Sequence, residues 1–188
     1  LGDTKVNWTK LGTGSAANDA LLSGQLDFAS GGTGPAFILW DRTKGSLNVK
    51  GVASLSSMPN MLITNNPAIK SLKDFTDKDR ISLAGAGSSV QTIYLQMAAA
   101  KEFGIKNYKK FSPLMVNLTH PLGLQAMLSG SSEVTAQFTS PPFWNRALLD
   151  PKIKVVLNSY DIMGGPSTFL MVWSTEKFKN NNPKTYKA

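Results

Sequence analysis

The strongest constraint on the fold is a construction that the chain carries twice. Residues 20–37, ALLSGQLDFASGGTGPAF, return 106 positions later as AMLSGSSEVTAQFTSPPF at 126–143. Ala20, Leu22, Ser23, Gly24, Thr33, Pro35 and Phe37 become Ala126, Leu128, Ser129, Gly130, Thr139, Pro141 and Phe143. Leu21 becomes Met127 and Asp27 becomes Glu133, both mild changes. The same offset carries 6–11 onto 112–117 and LNVKGV (47–52) onto IKVVLN (153–158). Chance does not hold one gap-free register through several elements, so two lobes of similar build are expected.

Within each copy, strands alternate with helices. VNWTKL (6–11) is strand-like, and after GTGS the residues Ala17, Ala20 and Leu21 recur at helical spacing, with Ser15 as candidate N-cap and Gly24 as the left-handed stop. A short strand is expected at 26–30, then a GGTG loop, a helix AFILWD entered through Pro35, and a strand at 47–55. The Pro- and Asn-punctuated SSMPNMLITNNPAIKS reads as a connector holding one short strand, Met61 to Thr64. A second series begins with a strand at 80–84, a Gly/Ser turn, and a helix with Val90, Ile93, Tyr94 and Met97 on one face. Gly104 closes that helix, with Ile105 placed for the apolar contact of a Schellman ending. Strands near 111–118, 133–138 and 152–158 and helices at 121–128 and from about 143 complete the series. Such alternation implies parallel strands joined by crossover helices, with the loops at their carboxyl ends facing one edge, where open α/β sheets bind ligands.

The register has a further consequence. The strand–GAGSS–helix unit at 80–104 has its counterpart before residue 1, so the first lobe is expected to lack its opening strand, loop and helix. At the other end, Asn182 and Pro183 are placed as N-cap and first residue of a helix that stops almost at once. The chain reads as trimmed at both ends.

Composition removes whole classes of chemistry. With no cysteine among 188 residues, disulfides, thiolate catalysis, zinc ribbons and iron–sulfur clusters are excluded. The single histidine, His120, allows no His pair for a metal site. No catalytic residues, metal ligands or cofactor are assigned. The formal net charge of +8 is scattered through TDKDR, KNYKK, PKIK and EKFK, with no nucleic-acid-binding motif beside it, so no nucleic-acid partner is expected. No apolar run approaches the roughly 20 residues that span a bilayer. GTGSAA (12–17) imitates a dinucleotide fingerprint without the rest of such a unit, and neither it nor GAGSSV carries the lysine of a phosphate loop.

What remains is a set of small donors at strand ends that precede helices. Gly14 and Ser15 (with Thr13), Gly32 and Thr33 (with Gly31), Ser88 and Ser89 (with Gly87), and Thr139 and Ser140 offer backbone N–H groups, hydroxyls and the positive ends of helix dipoles. Each turn taken alone is also what plain capping requires. Two similar lobes that present such edges to one another would make a shared site for an anion or polar group. One helix terminus contributes about 0.3–1 kcal/mol to anion binding, against about 8 kcal/mol for micromolar affinity, so desolvation and apolar contact must add the rest. Phe143, Trp144 and Trp40 follow the relevant loops and supply either that contact or core packing.

The segments ALLSGQLDFASGGTGP, NPAIKSLKDFTDKDRISLAGAGSSVQTIYLQMAAAKEFG and AMLSGSSEVTA resemble the periplasmic solute-binding proteins of ABC importers, in the nitrate/sulfonate/taurine branch with its thiamine-precursor-like members. The resemblance covers nearly the whole chain. It implies the type II periplasmic-binding-protein fold: two α/β lobes joined by two crossover strands, near Met61–Asn65 and Asn158–Thr168, that close on ligand. On this reading 1–64 forms an incomplete lobe 1, 65–160 lobe 2, and 161–188, with TFLMVWS, returns to lobe 1. Carried onto matching loops, Gly14, Ser15, Gly32 and Thr33 face the inter-lobe cleft from the first lobe, and Ser88, Ser89, His120, Thr139 and Ser140 from the second. FTSPPFW is bulkier than a nitrate site needs and leaves room for a sulfonate, a carboxylate or an aromatic ligand. The resemblance implies a monomeric, non-enzymatic, periplasmic or lipid-anchored extracytoplasmic protein whose partners are a small-molecule solute and an ABC permease. Two alternatives share the architecture: an enzyme akin to thiamine-pyrimidine synthase, opposed by the lack of cysteine and the lone histidine, and the effector-binding half of a transcription regulator, which would require a DNA-binding domain that these residues do not contain.

Overall fold

A computed structural model describes residues 5–130 and 133–187. In chain order the elements are α1 (Gly14–Leu22), β1 (Phe28–Gly32), α2 (Thr33–Arg42), β2 (Lys50–Ser56), β3 (Met61–Thr64), β4 (Arg80–Leu83), α3 (Val90–Phe103), β5 (Met115–Asn117), α4 (His120–Ser129), β6 (Val134–Thr139), α5 (Phe143–Ala147), β7 (Lys154–Asn158), α6 (Ser159–Met163), β8 (Leu170–Ser174), α7 (Glu176–Asn181) and α8 (Pro183–Lys187). They form two compact units, one made of 1–56 with 168–188 and the other of 57–167. The breaks fall at 56/57 and 167/168, so β3, assigned from the sequence to the end of the first lobe, pairs inside the second unit.

The first unit has a three-stranded sheet in the order β1-β8-β2, with β8 antiparallel to both neighbours. On one face α1 and α2 bury Ala17, Leu21, Ala36 and Leu39 against Ala29, Val49 and Trp173. On the other face Phe28 meets Phe178 of α7 edge-on at 5.1 Å and stacks on Tyr186 of α8 at 5.9 Å.

In the second unit five strands run in the order β5-β4-β6-β3-β7, with β4 parallel to β5 and β6, and β3 antiparallel to β6 and β7. The second sheet is therefore mixed and the first wholly antiparallel in its pairings, where the alternation of strand and helix implied parallel strands. Helices α4 and α5 pack Leu124, Met127 and Ala147 on Ile63, Val134 and Ile153. Phe138 meets Tyr94 of α3, with ring centroids 6.3 Å apart. Cover on both faces explains why β6 is buried at five of six positions instead of alternating.

The repeat survives as topology. Shifted by 106, α1 falls on α4 and β1 on β6, and the trio β1-β8-β2 has the same antiparallel pairing as β6-β3-β7. The strand expected at 6–11 does not form: these residues have no regular structure, and Val6, Trp8 and Leu11 are 43%, 90% and 38% exposed. The matching segment of the second unit becomes β5 because β4 lies beside it, and among the described residues nothing lies beside 6–11 in that way.

Local chemistry sets the helix ends. Thr13, not Ser15, caps α1, its Oγ1 accepting from Ala16 N at 3.2 Å, and Gly24 follows the helix at φ +77°. Ser89 caps α3 through Thr92 N. Gly104 closes α3 with φ +88° and ψ +151°, and Ile105 is 76% exposed, so the expected Schellman contact is absent and the chain enters a short 3-10 turn. The GGTG loop is absorbed, its first two residues ending β1 and its last two opening α2.

Candidate functional site

Each unit is built from its own strand ends. In the first, the start of α1 passes close over the β1–α2 turn. A Cβ on Gly14 would lie 2.7 Å from Pro35 Cγ, and one on Gly31 would lie 3.2 Å from the Trp173 ring and 3.4 Å from Gly14 Cα. Only glycine permits that approach. Asn18 Nδ2 donates to Pro35 O at 2.9 Å and ties α1 to α2. The structure thus brings Gly14, Ser15, Gly32 and Thr33 to one edge, yet spends two of the expected donors and acceptors there: Thr33 N donates to Phe169 O, and Thr13 Oγ1 caps its helix.

The second unit gathers more. In the turn after β4, Ser88 N and Ser89 N both donate to Gly85 O, at 3.1 and 2.8 Å. Asn117, at the end of β5, accepts from Gly85 N at 2.9 Å and Ala86 N at 3.4 Å, so it holds the glycine turn from the neighbouring strand. The Ser89 hydroxyl, 7% exposed, is committed to Thr92.

His120, Thr139 and Ser140 come together at the ends of α4 and β6. Thr139 Oγ1 lies 2.9 Å from His120 Nδ1, the imidazole stacks on Phe143 at 5.4 Å and 27°, and Gln137 Nε2 donates to His120 O at 2.8 Å. The carbonyl of Ser140 accepts from Phe143 N and Trp144 N at the start of α5. Gln137 sits under the first turn of α4 beside Ser82, and Gly123 makes room for both. Ser82 Oγ and Gln137 Oε1 are buried without a hydrogen-bond partner among the described residues.

A second buried polar group adjoins the start of α3. Gln91 Nε2 donates to Asn60 Oδ1 at 2.8 Å, Ser159 Oγ accepts from Asn60 N, and Ser159 N donates back to Asn60 O, both at 2.9 Å. Trp144 Nε1 donates to Pro59 O at 3.1 Å. Asn60, Gln91, Asn117 and Gln137 were not singled out from the sequence. The one available signal was a glutamine at the centre of the buried strand TAQFT, since a polar side chain in such a run must be hydrogen-bonded to something.

The electrostatics of both edges are unusual for a chain of net charge +8. The loops 12–18, 30–36, 57–60, 84–92, 117–123 and 139–145 contain no Lys, Arg, Asp or Glu. Burial pushes the His120 imidazole down to about 4, so it is neutral near pH 7. Donors at these edges are amide N–H groups, hydroxyls and a neutral ring, which suit a weakly hydrated polar or singly charged group better than a dense charge. Among the described residues no cluster of three His, Cys, Asp or Glu could hold a metal ion. Of the aromatic residues, Phe143 and Trp144 pack on the second unit's core, while Trp40 is 47% exposed beneath Lys44 Nζ at 3.9 Å.

No protein-family model matches the chain, and no curated protein matches it. Solved structures do. The alkanesulfonate-binding protein SsuA from Xanthomonas axonopodis pv. citri, bound to MOPS, superposes with a TM-score of 0.69 at 17% identity, over 94% of this chain and 57% of its own. The periplasmic aliphatic sulphonate binding protein SsuA from Escherichia coli gives 0.67 at 19% identity, over 98% and 56%. PhnD1 from Prochlorococcus marinus, in complex with methylphosphonate, gives 0.65 at 12% identity, over 98% and 69%. The chain thus spans little more than half the length of the two sulfonate binders. The fold is that of the periplasmic binding proteins.

Proposed function

We propose that the chain is the solute-binding component of an ABC importer, working outside the cytoplasmic membrane, and that it binds a small organic anion of the sulfonate or carboxylate type. The observation that carries this reading is the charge-free donor edge of the second unit, where His120, Thr139 and the α3 and α4 termini lie at the carboxyl ends of parallel strands β4 and β6. The fold is shared with proteins whose solved structures hold MOPS and methylphosphonate. Sulfonates and carboxylates accept several hydrogen bonds while carrying one charge, which neutral donors and two helix termini can match without a cation. No step in this role makes or breaks a covalent bond. A ligand that prefers one arrangement of the binding loops would let a membrane permease distinguish loaded from empty protein.

Native mass spectrometry of freshly purified protein, followed by thermal shift against sulfonates, carboxylates and inorganic anions, tests the reading. A ligand at 100 times its Kd should add about 2.7 kcal/mol of stability. The proposal fails if no organic anion stabilises the protein while a neutral or cationic solute does.

A further inference from the structure

The environment of His120 specifies more than its position. Gln137 and Thr139 are two residues apart on β6, and both reach His120, one at its carbonyl oxygen and the other at ring Nδ1. The Phe143 ring covers one face of the imidazole. The ring is therefore held by Thr139 and Phe143, and the backbone that carries it by Gln137. Its Nε2 makes no hydrogen bond among the described residues.

Thr139 is fully buried, and its hydroxyl makes no hydrogen bond other than the one to Nδ1 among the described residues. That hydroxyl has a single hydrogen to place. If Nδ1 carried a proton and donated to Oγ1, the hydroxyl hydrogen would be left buried without an acceptor. If the hydroxyl donates to a bare Nδ1, its buried hydrogen has an acceptor, and the ring proton lies on Nε2, which is not among the fully buried unpartnered atoms and is left to solvent or ligand, at far lower cost. The geometry points to the second arrangement: Thr139 Oγ1–H donates to Nδ1, and the proton of the neutral ring resides on Nε2.

We propose that His120 is a specificity-determining residue that offers Nε2–H as an uncharged donor to an unprotonated acceptor oxygen of the ligand, a sulfonate, carboxylate or carbonyl, with Thr139 and Gln137 as its positioning residues. This rests on the function proposed above. Charged groups on the elements packed against α4 do not alter it. On β4, Arg80 donates to the carbonyls of Asp77 and Asp79 and pairs with Glu133 at 3.7 Å, and on α5, Arg146 is exposed. A ligand group that carries only donors, such as an alkylammonium, finds no partner at Nε2.

Because the chain has one histidine, its ring nitrogens give one unambiguous pair of signals in ¹⁵N-detected NMR of the labelled full chain. The expected spectrum at pH 7 has a protonated Nε2 and a bare Nδ1. In Thr139→Val the two nitrogens should move toward the average of both tautomers, while Thr139→Ser, which keeps the hydroxyl, should retain the wild-type pattern. A protonated Nδ1 in the wild type overturns the assignment whether or not either variant folds. Addition of ethanesulfonate or acetate should shift the Nε2 signal, and His120→Ala should weaken the bound member on the order of ten- to a hundredfold. Binding of either anion with the ring signals unmoved overturns the ligand half of the proposal. If neither binds, that half falls together with the function above, while the tautomer is still decided by the unliganded spectrum.

Discussion

Gly123, in the first turn of α4, lies directly against Ser82 on β4: a Cβ on the glycine would sit 2.5 Å from the serine Oγ and 3.1 Å from its Cβ, as well as 2.7 Å from Gln137 Nε2. Ser82 and Gln137 are 0% and 1% exposed, so neither can swing into solvent to make room. Gly123→Ala gains about 1 kcal/mol of helix propensity but overpacks a closed site, which costs about 1–3 kcal/mol and pushes on the hydrogen bond to His120. We expect a net loss on the order of 1 kcal/mol in urea unfolding. Adding Ser82→Ala should recover part of it, whereas simple additivity of the two changes would remove this account.

His120 gives a stability signal with a definite sign. Its folded-state value near 4 lies below the usual 6.5, so between those pH values the unfolded chain binds more protons and stability rises with pH. The contribution is complete above about pH 6.5 and is lost as pH falls toward 4. At about 1.4 kcal/mol per unit it amounts to at most about 3.5 kcal/mol, less whatever solvent reaches the ring. His120→Gln should flatten the stability profile across this window. A variant whose profile parallels the wild type would show that burial does not set the histidine's charge.

Asp79 should act at lower pH and in the same direction. It is 4% exposed. Burial pushes its pKa up, but donors from Thr76 N, Thr135 Oγ1, Thr76 Oγ1 and Asn66 Nδ2 together outweigh that and hold it below the usual carboxylate value. Its stabilisation is present above the unfolded value, about 3.9, and is lost as pH falls through the folded one. Asp79→Ala leaves several donors unmet and should cost about 2–3 kcal/mol at pH 7, with the difference shrinking below pH 4. Chemical denaturation at pH 7 and pH 3 measures both values.

The second unit is one continuous stretch, 57–167, with a five-stranded sheet covered on both faces. Expressed alone it should melt cooperatively and give a dispersed amide spectrum. Broad, collapsed resonances would show that it depends on the rest of the chain.

Much of this arrangement is legible in the sequence. The register shared by 20–37 and 126–143 anticipates the matching topology of β1-β8-β2 and β6-β3-β7, and the spacing of Val90, Ile93, Tyr94 and Met97 locates α3, although Met97 is left exposed. Residues 6–11 failed because a strand needs an edge to pair with, which no local pattern reveals. Met61–Thr64, four residues between Asn and Pro, look like a connector, yet they form a strand hydrogen-bonded on both sides within its sheet. At the candidate site, His120 and Thr139 could be named singly, but their pairing across 19 positions is a product of packing. Ser89, a candidate ligand donor in the sequence, caps α3 through Thr92 N. Gln91 and Asn60 looked like neither, because their value lies in meeting each other.

The position of β8 has a bearing on how the polypeptide is made. Among the described residues, strands β1 and β2 are hydrogen-bonded to β8 and not to each other, and β8 emerges from the ribosome more than a hundred residues after β2, once all of 57–167 has been synthesised. At each round of translation the early strands wait with open edges while the inserted unit is completed. The last strand then enters between them like a key closing a lock. Conditions that slow elongation late in the message therefore lengthen the time during which the nascent chain is vulnerable to mispairing and to capture by chaperones.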